Sequence, residues 1–416
     1  MNHLLHKLPR LLGIATSLLL FAAAEVAWAA IDGISGPVFN LTAKADYISA
    51  ADGASVYAWG YANGNGTMQY PGPTLIVNQG DTVTINLSNQ LPVPVSIVLP
   101  GQQNIAASGG SAGVMAQEAP AIAAGVAGTV SYTFVATQPG TYLYHSGTQP
   151  ALQVEMGLLG TLIVRPAAAD PLHQAYVHSA TRFDHEYLFM ITEMDPAIHD
   201  QVAVQVAAGG AINADTSAYH PVLWFINGRN APDTILDANV PWLPTQPYNC
   251  LPRMHAGEKL LMRVVNAGRD LHPFHTHGNN FTLLARDGRL LESAPGAGPD
   301  LASSDFTLRA VPGETYDAIF EWTGKGLGWD VYGHTSTTQA LAPNEYAPDH
   351  GKPIPVILPN LQDLTFGANY SGSPYLGSFG ALPPAGPWLT GMPVTSTCGT
   401  PTTSVRSSIT TSSRAA

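Results

Sequence analysis

The chain has 416 residues, with 17 Lys or Arg against 29 Asp or Glu, a formal net charge of −12 with histidine neutral. That balance leaves little basic charge to neutralise phosphates and argues against nucleic acid as a partner. Only 11% of residues are charged, while Gly (41) and Pro (34) abound, which favours many short strands joined by tight turns over helices.

The N-terminus reads as a targeting segment. Lys7 and Arg10 form a positive region, Leu11 to Ala24 a short apolar run, and Ala27-Trp28-Ala29 an A-x-A cleavage site. The run is too short to span about 30 Å of hydrocarbon. A signal peptide over residues 1–29 is therefore expected, cleaved near Ala29, with the mature protein periplasmic or secreted. No membrane span is expected later in the chain, because no apolar stretch reaches about 18 uncharged residues. The remaining residues, about 385, suit two domains plus a remnant at about 150 residues each. Cys250 and Cys398 are too few for a disulfide framework, although one bond is compatible with export.

Period-two alternation then recurs. Val83, Ile85 and Leu87 alternate with Thr82, Thr84 and Asn86, and Val130, Tyr132 and Phe134 with Ser131 and Thr133. Such patterns send one row of side chains into a core and the other outward. Gly- and Pro-rich breaks at Gly64–Gly66, Pro71-Gly72-Pro73 and Pro139-Gly140 separate them, and an antiparallel sandwich is the economical reading. The chain also repeats itself. The spacing Gly80-Asp81, Asn89, Gly101 recurs without a gap as Gly257-Glu258, Asn266, Gly278. Two copies of one sandwich are expected at residues 38–167 and 180–365, divided near Arg165-Pro166.

The densest chemical signal is Leu271-His272-Pro273-Phe274-His275-Thr276-His277-Gly278. Residues two apart on an extended segment face the same way, so His275 and His277 project together from a strand edge. Neutral imidazole is the commonest metal ligand; core or surface histidines are the plainer alternative. His173, His178, His185, His199, His220, His255 and His350 lack ligand spacing, and most are expected to be solvated. Cys250 reads as a buried thiol, and no motif singles out Asp300, Asp305 or Glu321 as groups behind a metal ligand.

The HPFHTHG run resembles the HPxHxHG signature of multicopper oxidases, and Tyr142-Leu143-Tyr144-His145-Ser146 resembles their YxYHSH segment. Gln153–Val164 is similar to the strand that follows it. Tyr70-Pro71-Gly72-Pro73-Thr74 and Phe225-Ile226-Asn227-Gly228-Arg229 are also familiar in that family. The likeness runs to about Pro384. It implies an all-β chain of two cupredoxin-like Greek-key β-sandwich domains plus an irregular C-terminal tail. It also implies copper: a trinuclear cluster held by His-rich motifs at the domain interface, where dioxygen is reduced, and a type 1 copper bound by Cys and two His.

Measured against that pattern, ligands are missing. Val98-Leu99-Pro100-Gly101 stands where the family has HWHG, His145-Ser146-Gly147 where it has HSH, and Tyr332-Gly333-His334 where it has HCH. The resemblance leaves His145, His275, His277 and His334 as trinuclear-type ligands, enough for one copper or a loosely held pair. His272 matches a type 1 ligand without its cysteine, and a hydrogen-bonded loop histidine is the alternative. An all-imidazole site accepts copper or zinc; copper follows from the resemblance. Three functions remain open: a copper-dependent oxidoreductase using a small-molecule or metal-ion reductant and dioxygen, a copper-binding or structural cupredoxin protein without turnover, and an inactive truncated fragment of a larger oxidase. The family also implies a possible homo-oligomer.

Residues 366–416 read differently. From about Gly386 the text is Thr/Ser-rich, as in a disordered or glycan-bearing tail. A frameshift is the other reading. When the last base of one codon joins the first two of the next, Cys398-Gly399 can encode Trp, and Gly399-Thr400 and Pro401-Thr402 each His. On that reading the tail is the frame-shifted remnant of a further domain.

Overall fold

The computed structural model describes residues 31–168, 170–252, 258–276, 280–321 and 410–411. The expected signal peptide, His277, His334 and all but two residues of the 366–416 segment lie outside the described residues. The chain forms two β-sandwiches. In the first, one sheet runs β1 (Ile34–Ser35), β4 (Leu75–Asn78), β11 (Leu159–Arg165), β10 (Gly140–His145), with β4 parallel to both β1 and β11. The facing sheet runs β3 (Ser55–Asn63), β2 (Val38–Ser49), β5 (Thr82–Asn89), β9 (Gly128–Val135), β6 (Ala106–Gly109). A ribbon of β7 (Ser111–Ala112) and β8 (Gln117–Glu118) extends beside it.

In the second sandwich the large sheet runs β13 (Leu223–Ile226), β12 (His185–Met194), β14 (Lys259–Asn266), β20 (Thr315–Glu321), β16 (Phe281–Arg286), β17 (Arg289–Leu290). There β18 (Ser303–Asp305) also pairs with β16. Its small partner sheet joins β19 (Thr307–Ala310), β15 (His272–His275) and β21 (Thr410–Thr411).

Alternation decides which faces are buried. Val83, Ile85 and Leu87 of β5 and Val130, Tyr132 and Phe134 of β9 fill the first core with Trp59 and Tyr61. Several strands depart from alternation, β10, β12 and β20 among them; β11 is buried at every position, and β14 at all but its first. Strands covered on both faces must be apolar throughout or must pair the charges they bury. Here the second cover is the other sandwich. Leu143 and Leu159 pack against Leu188, Met190, Val265 and Ala267 across the seam, each such side chain contributing about 1.5–3 kcal/mol when fully buried.

The charges on these two strands meet in one network. Arg165 on β11 pairs with Glu186 on β12, whose other oxygen accepts from Arg263 Nε at 3.0 Å. Arg263 lies 3.4 Å from Asp317 and donates to Thr141 Oγ1 at 2.9 Å, while Thr141 and Tyr176 donate to the two Asp317 oxygens at 2.6 and 2.7 Å. Burial pushes the Glu186 carboxyl up, but Arg263 and Arg165 outweigh it and hold the group below its usual range.

The internal repeat has a structural counterpart. Asn89 and Asn266 each end a strand, and each side-chain carbonyl accepts a backbone N–H two residues on. Their amides donate to Ala119 O and Ala310 O respectively. Ala119 bridges Val95, and Ala310 pairs with His272. Val95 and Val98 therefore occupy the places of His272 and His275.

Helical structure was not anticipated. α1 (Pro150–Gln153) is one turn; α2 (Pro196–Ala207) is a full helix, capped by Asp195, whose carboxylate accepts from Ala197 N at 3.0 Å. Its Ile198 and Val202 enter the core of the first sandwich. No described helix is long and apolar enough to cross a membrane.

Glu186→Gln leaves two buried guanidiniums facing one carboxylate. It is expected to destabilise the chain by about 3–5 kcal/mol in urea denaturation. A loss below about 1 kcal/mol would show that the network contributes little to stability.

Candidate metal site

His145 ends β10, and the two-residue period of that strand gives its direction. Thr141 and Leu143, four and two residues earlier, both meet the second sandwich. His145 projects from the same side, toward the seam. Its Nδ1 lies 2.9 Å from the Ser146 carbonyl oxygen. A carbonyl only accepts, so Nδ1 carries the proton and the neutral ring leaves the Nε2 lone pair available. Burial holds the His145 pKa below its usual value, favouring that neutral form, with the Ser146 contact opposing.

Beside His145 the ligand positions are filled by apolar atoms. Val98 forms a backbone bridge with His145, its N–H donating to His145 O at 2.8 Å. A Cβ built on Gly147 would come within 2.6 Å of Val98 Cγ1 and 3.2 Å of both Met115 Cβ and Ser96 Oγ. The two departures from the family pattern thus interlock: the valine methyl takes up the space that any side chain at 147 would enter. The full trinuclear ligand set does not fit the first sandwich.

In the second sandwich, β15 carries two of the histidines. His272 is buried, with Nε2 2.8 Å from Glu193 Oε2. Glu193 also accepts from the backbone N–H groups of Arg269 and Asp270. His272 Nε2 is thus held by a carboxylate, an arrangement that suits both a hydrogen-bonded histidine and a metal ligand bonding through Nδ1. His275 is half-buried at the strand end, with Nδ1 2.7 Å from Thr307 Oγ1 and its ring edge-on to Phe306 at 5.5 Å. Among the described residues no group of three or more His, Cys, Asp or Glu side chains is placed to hold a metal ion. His277 and His334, which a four-histidine set needs, lie outside the described residues.

Of the scattered histidines, His199 contradicts the expectation of solvent exposure. It sits on α2 fully buried, Nδ1 donating to Tyr57 O at 2.6 Å, Nε2 3.8 Å from Glu155 Oε1. Sequence reasoning missed it because its partners are remote in the chain; the signal was Asp195-Pro196, a capping residue before a proline that starts a helix. His220 is exposed, whereas His173, His178 and His185 are half-buried; His255 and His350 lie outside the described residues. Glu155 was missed as well. Burial raises its pKa to about 7, against a hydrogen bond from Asp195 N and the charge of Arg269. Cys250 is a buried free thiol pushed up to about 12 by burial, which removes it as a ready thiolate ligand. Asp300, Asp305 and Glu321 are exposed, bonding Ser293, nearby backbone N–H groups and Lys259 respectively.

Residues 43–169 match the family model described as multicopper oxidase. Copper resistance protein A of Pseudomonas syringae pv. tomato is 31% identical over 288 residues, covering 61% of this chain and 42% of that protein. Copper resistance protein A of Escherichia coli is 24% identical over 284 residues, covering 61% and 42%. The chain spans less than half the length of these curated relatives. Among solved structures, the multicopper oxidase mgLAC superposes with a TM-score of 0.51 at 24% identity, over 68% of this chain and 75% of that one, a likeness of fold.

Gly147→Ala should cost about 1–3 kcal/mol by overpacking against Val98. Adding Val98→Ala should recover at least about half of that loss in a double-mutant cycle. Additive losses would show that the two positions do not interlock. For Glu155 the folded pKa is raised. Its stabilising contribution is therefore complete below the ordinary value of 4.5 and is lost as pH climbs through about 7. Across that window the stability of the parent relative to Glu155→Gln should fall, by on the order of 3 kcal/mol at most. A pH-independent difference in urea midpoints would count against a strongly buried carboxyl.

Proposed function

Because the chain belongs to the multicopper oxidase family, whose cofactor is copper, we propose that it is an exported copper-binding protein of reduced metal complement. Copper would be held where the two sandwiches meet, by His145 with His275, His277 and His334. The supporting observation is the pairing of a half-buried, neutral His145, whose Nε2 is left available, with the Val98–Gly147 contact that closes the neighbouring ligand positions. The copper resistance proteins among the relatives favour copper over zinc at a site whose imidazoles would accept either.

The Ser146 carbonyl on His145 Nδ1 is the arrangement that fixes the tautomer and orientation of a metal ligand, and the Thr307 hydroxyl on His275 Nδ1 helps to orient that ring. A bound copper supplies one-electron chemistry. His272, held by Glu193, would lack a thiolate partner of the type 1 kind, since Gly333 stands where the family's HCH motif has its cysteine. Four-electron reduction of dioxygen requires a route for incoming electrons, so the reading favoured is binding with little turnover. A small-molecule or metal-ion reductant, with dioxygen as acceptor, would be the substrate pair of any residual activity.

Reconstitution with copper followed by elemental analysis tests this. The expected content is about one copper per chain, or at most a weakly held second, without the intense blue absorption of a thiolate site. His145→Ala should lower retention at least about tenfold, the usual cost of losing ligand support. A chain that stays copper-free, or one that takes up a full trinuclear complement and consumes oxygen rapidly with a phenolic reductant, would overturn the proposal.

A further inference from the structure

A cleft of about 640 Å³ opens between the sandwiches, among residues with no part in the copper reading. Small-molecule sites are commonly of this size and commonly sit at domain seams. Two glycines, one of them the lining residue Gly288, bring the sandwiches together beside it. A Cβ on Gly140 of the first sandwich would lie 2.6 Å from Gly288 Cα of the second, and a Cβ on Gly288 would collide with the Tyr142 hydroxyl. Gly288 also has a left-handed φ of +68°, which glycine adopts without strain. Backbone therefore closely approaches backbone beside the cleft.

One wall carries an exposed cation without a close ion pair. Arg286 lies 4.0 Å from Glu314, and Asp287 accepts from Thr315 N; among the described residues no carboxylate lies within ion-pair distance of Arg289, although its charge reaches Asp287. Gln138 and Gln103 face the same cleft from the first sandwich, and among the described residues their carboxamides have no hydrogen-bond partner. His178 accepts from Ala180 N through Nδ1, so the neutral ring carries its proton on Nε2 and offers a donor. Glu292 accepts from Gly296 N with one oxygen, leaving the other as an acceptor.

We propose that this cleft binds a small polyhydroxylated carboxylate of the sugar-acid class. Arg289 offers a planar fork that matches a carboxylate in bidentate fashion. Carboxamides both donate and accept, which suits hydroxyl groups of either role, and the free Glu292 oxygen accepts from a further hydroxyl. A bare anion would leave the amide and carboxylate groups unused, and a neutral sugar would leave the guanidinium unpaired. The ligand would touch both sandwiches and so stabilise the folded chain by mass action.

Calorimetric titration and thermal unfolding of the full chain with D-glucuronate test the proposal, with D-glucose, acetate and inorganic phosphate as comparisons. Glucuronate is expected to bind saturably and raise the melting temperature. Glucose, acetate and phosphate should each bind at least about tenfold more weakly. Arg289 is exposed, so Arg289→Gln should fold with an unchanged melting temperature while weakening glucuronate at least about tenfold. Gln103→Ala with Gln138→Ala should weaken glucuronate while leaving acetate unaffected. No saturable glucuronate binding, an unchanged affinity in Arg289→Gln, or equal binding of acetate or phosphate would each overturn the proposal. None of these outcomes depends on copper, so they are separate from the test of the metal site.

Discussion

Two arginines and two carboxylates buried in the seam, Arg165 and Arg263 against Glu186 and Asp317, determine how the two sandwiches can sit together. Taking such charges out of water costs several kcal/mol per ion, and only close pairing with extra hydrogen bonds offsets it. The chain supplies those bonds from both halves. Thr141 on β10 bridges Arg263 and Asp317, and its backbone oxygen accepts from Thr315 Oγ1 at 2.6 Å. Sliding one sandwich past the other by a single residue would strand the charges, so the network fixes register where apolar contacts alone would tolerate slippage. One nitrogen each of Arg165 and Arg263 finds no partner among the described residues, a cost of about 1–3 kcal/mol apiece. The geometry of the network is therefore being bought with some stability.

That register reaches the candidate site directly. Thr141, Leu143 and His145 lie on one side of one strand, so the residue that anchors the network and the residue that offers a ring nitrogen are separated only by about 13 Å of extended backbone. Leu143 between them packs on Leu188, Met190 and Val265. His145 thus faces the second sandwich as a consequence of how Thr141 is held, whatever it binds there. The position depends on the seam and not on neighbouring ligands, which is why it survives with Val98 and Gly147 beside it.

Much of this was legible because it is local or periodic. Alternation in β5 and β9 located the core faces, and the spacing from Asn89 to Gly101 matched that from Asn266 to Gly278 because both asparagines perform the same task at a strand end. The same match places Val98 opposite His275 from spacing alone. The seam was illegible for the opposite reason. Arg165, Glu186, Arg263 and Asp317 sit on four different strands, and no short pattern marks an arginine whose carboxylate lies 77 or 54 residues away. Their only trace was negative: β11 and β14 lack alternation, which signals cover on both faces without naming the partner. The buried pair His199 and Glu155 was hidden in the same way, and α2 by a composition that favours strands everywhere else.

The two halves of the repeat show what a scaffold retains when ligands are lost. At equivalent positions the second sandwich carries His272 and His275, and the first carries Val95 and Val98. The asparagine caps and the alanines paired with residues 95 and 272 recur in both, because they satisfy backbone groups that must be paired in any sandwich. Imidazoles are not under that constraint. Replacing one by valine removes a polar group from a half-buried seam and lets the surrounding atoms pack, provided the neighbour makes room. Gly147 makes that room: with no side chain of its own, it accepts the Val98 methyl where two larger residues would overlap. A chain altered at one of these positions alone would be left with a void or a clash. The interlock therefore couples the residues at positions 98 and 147.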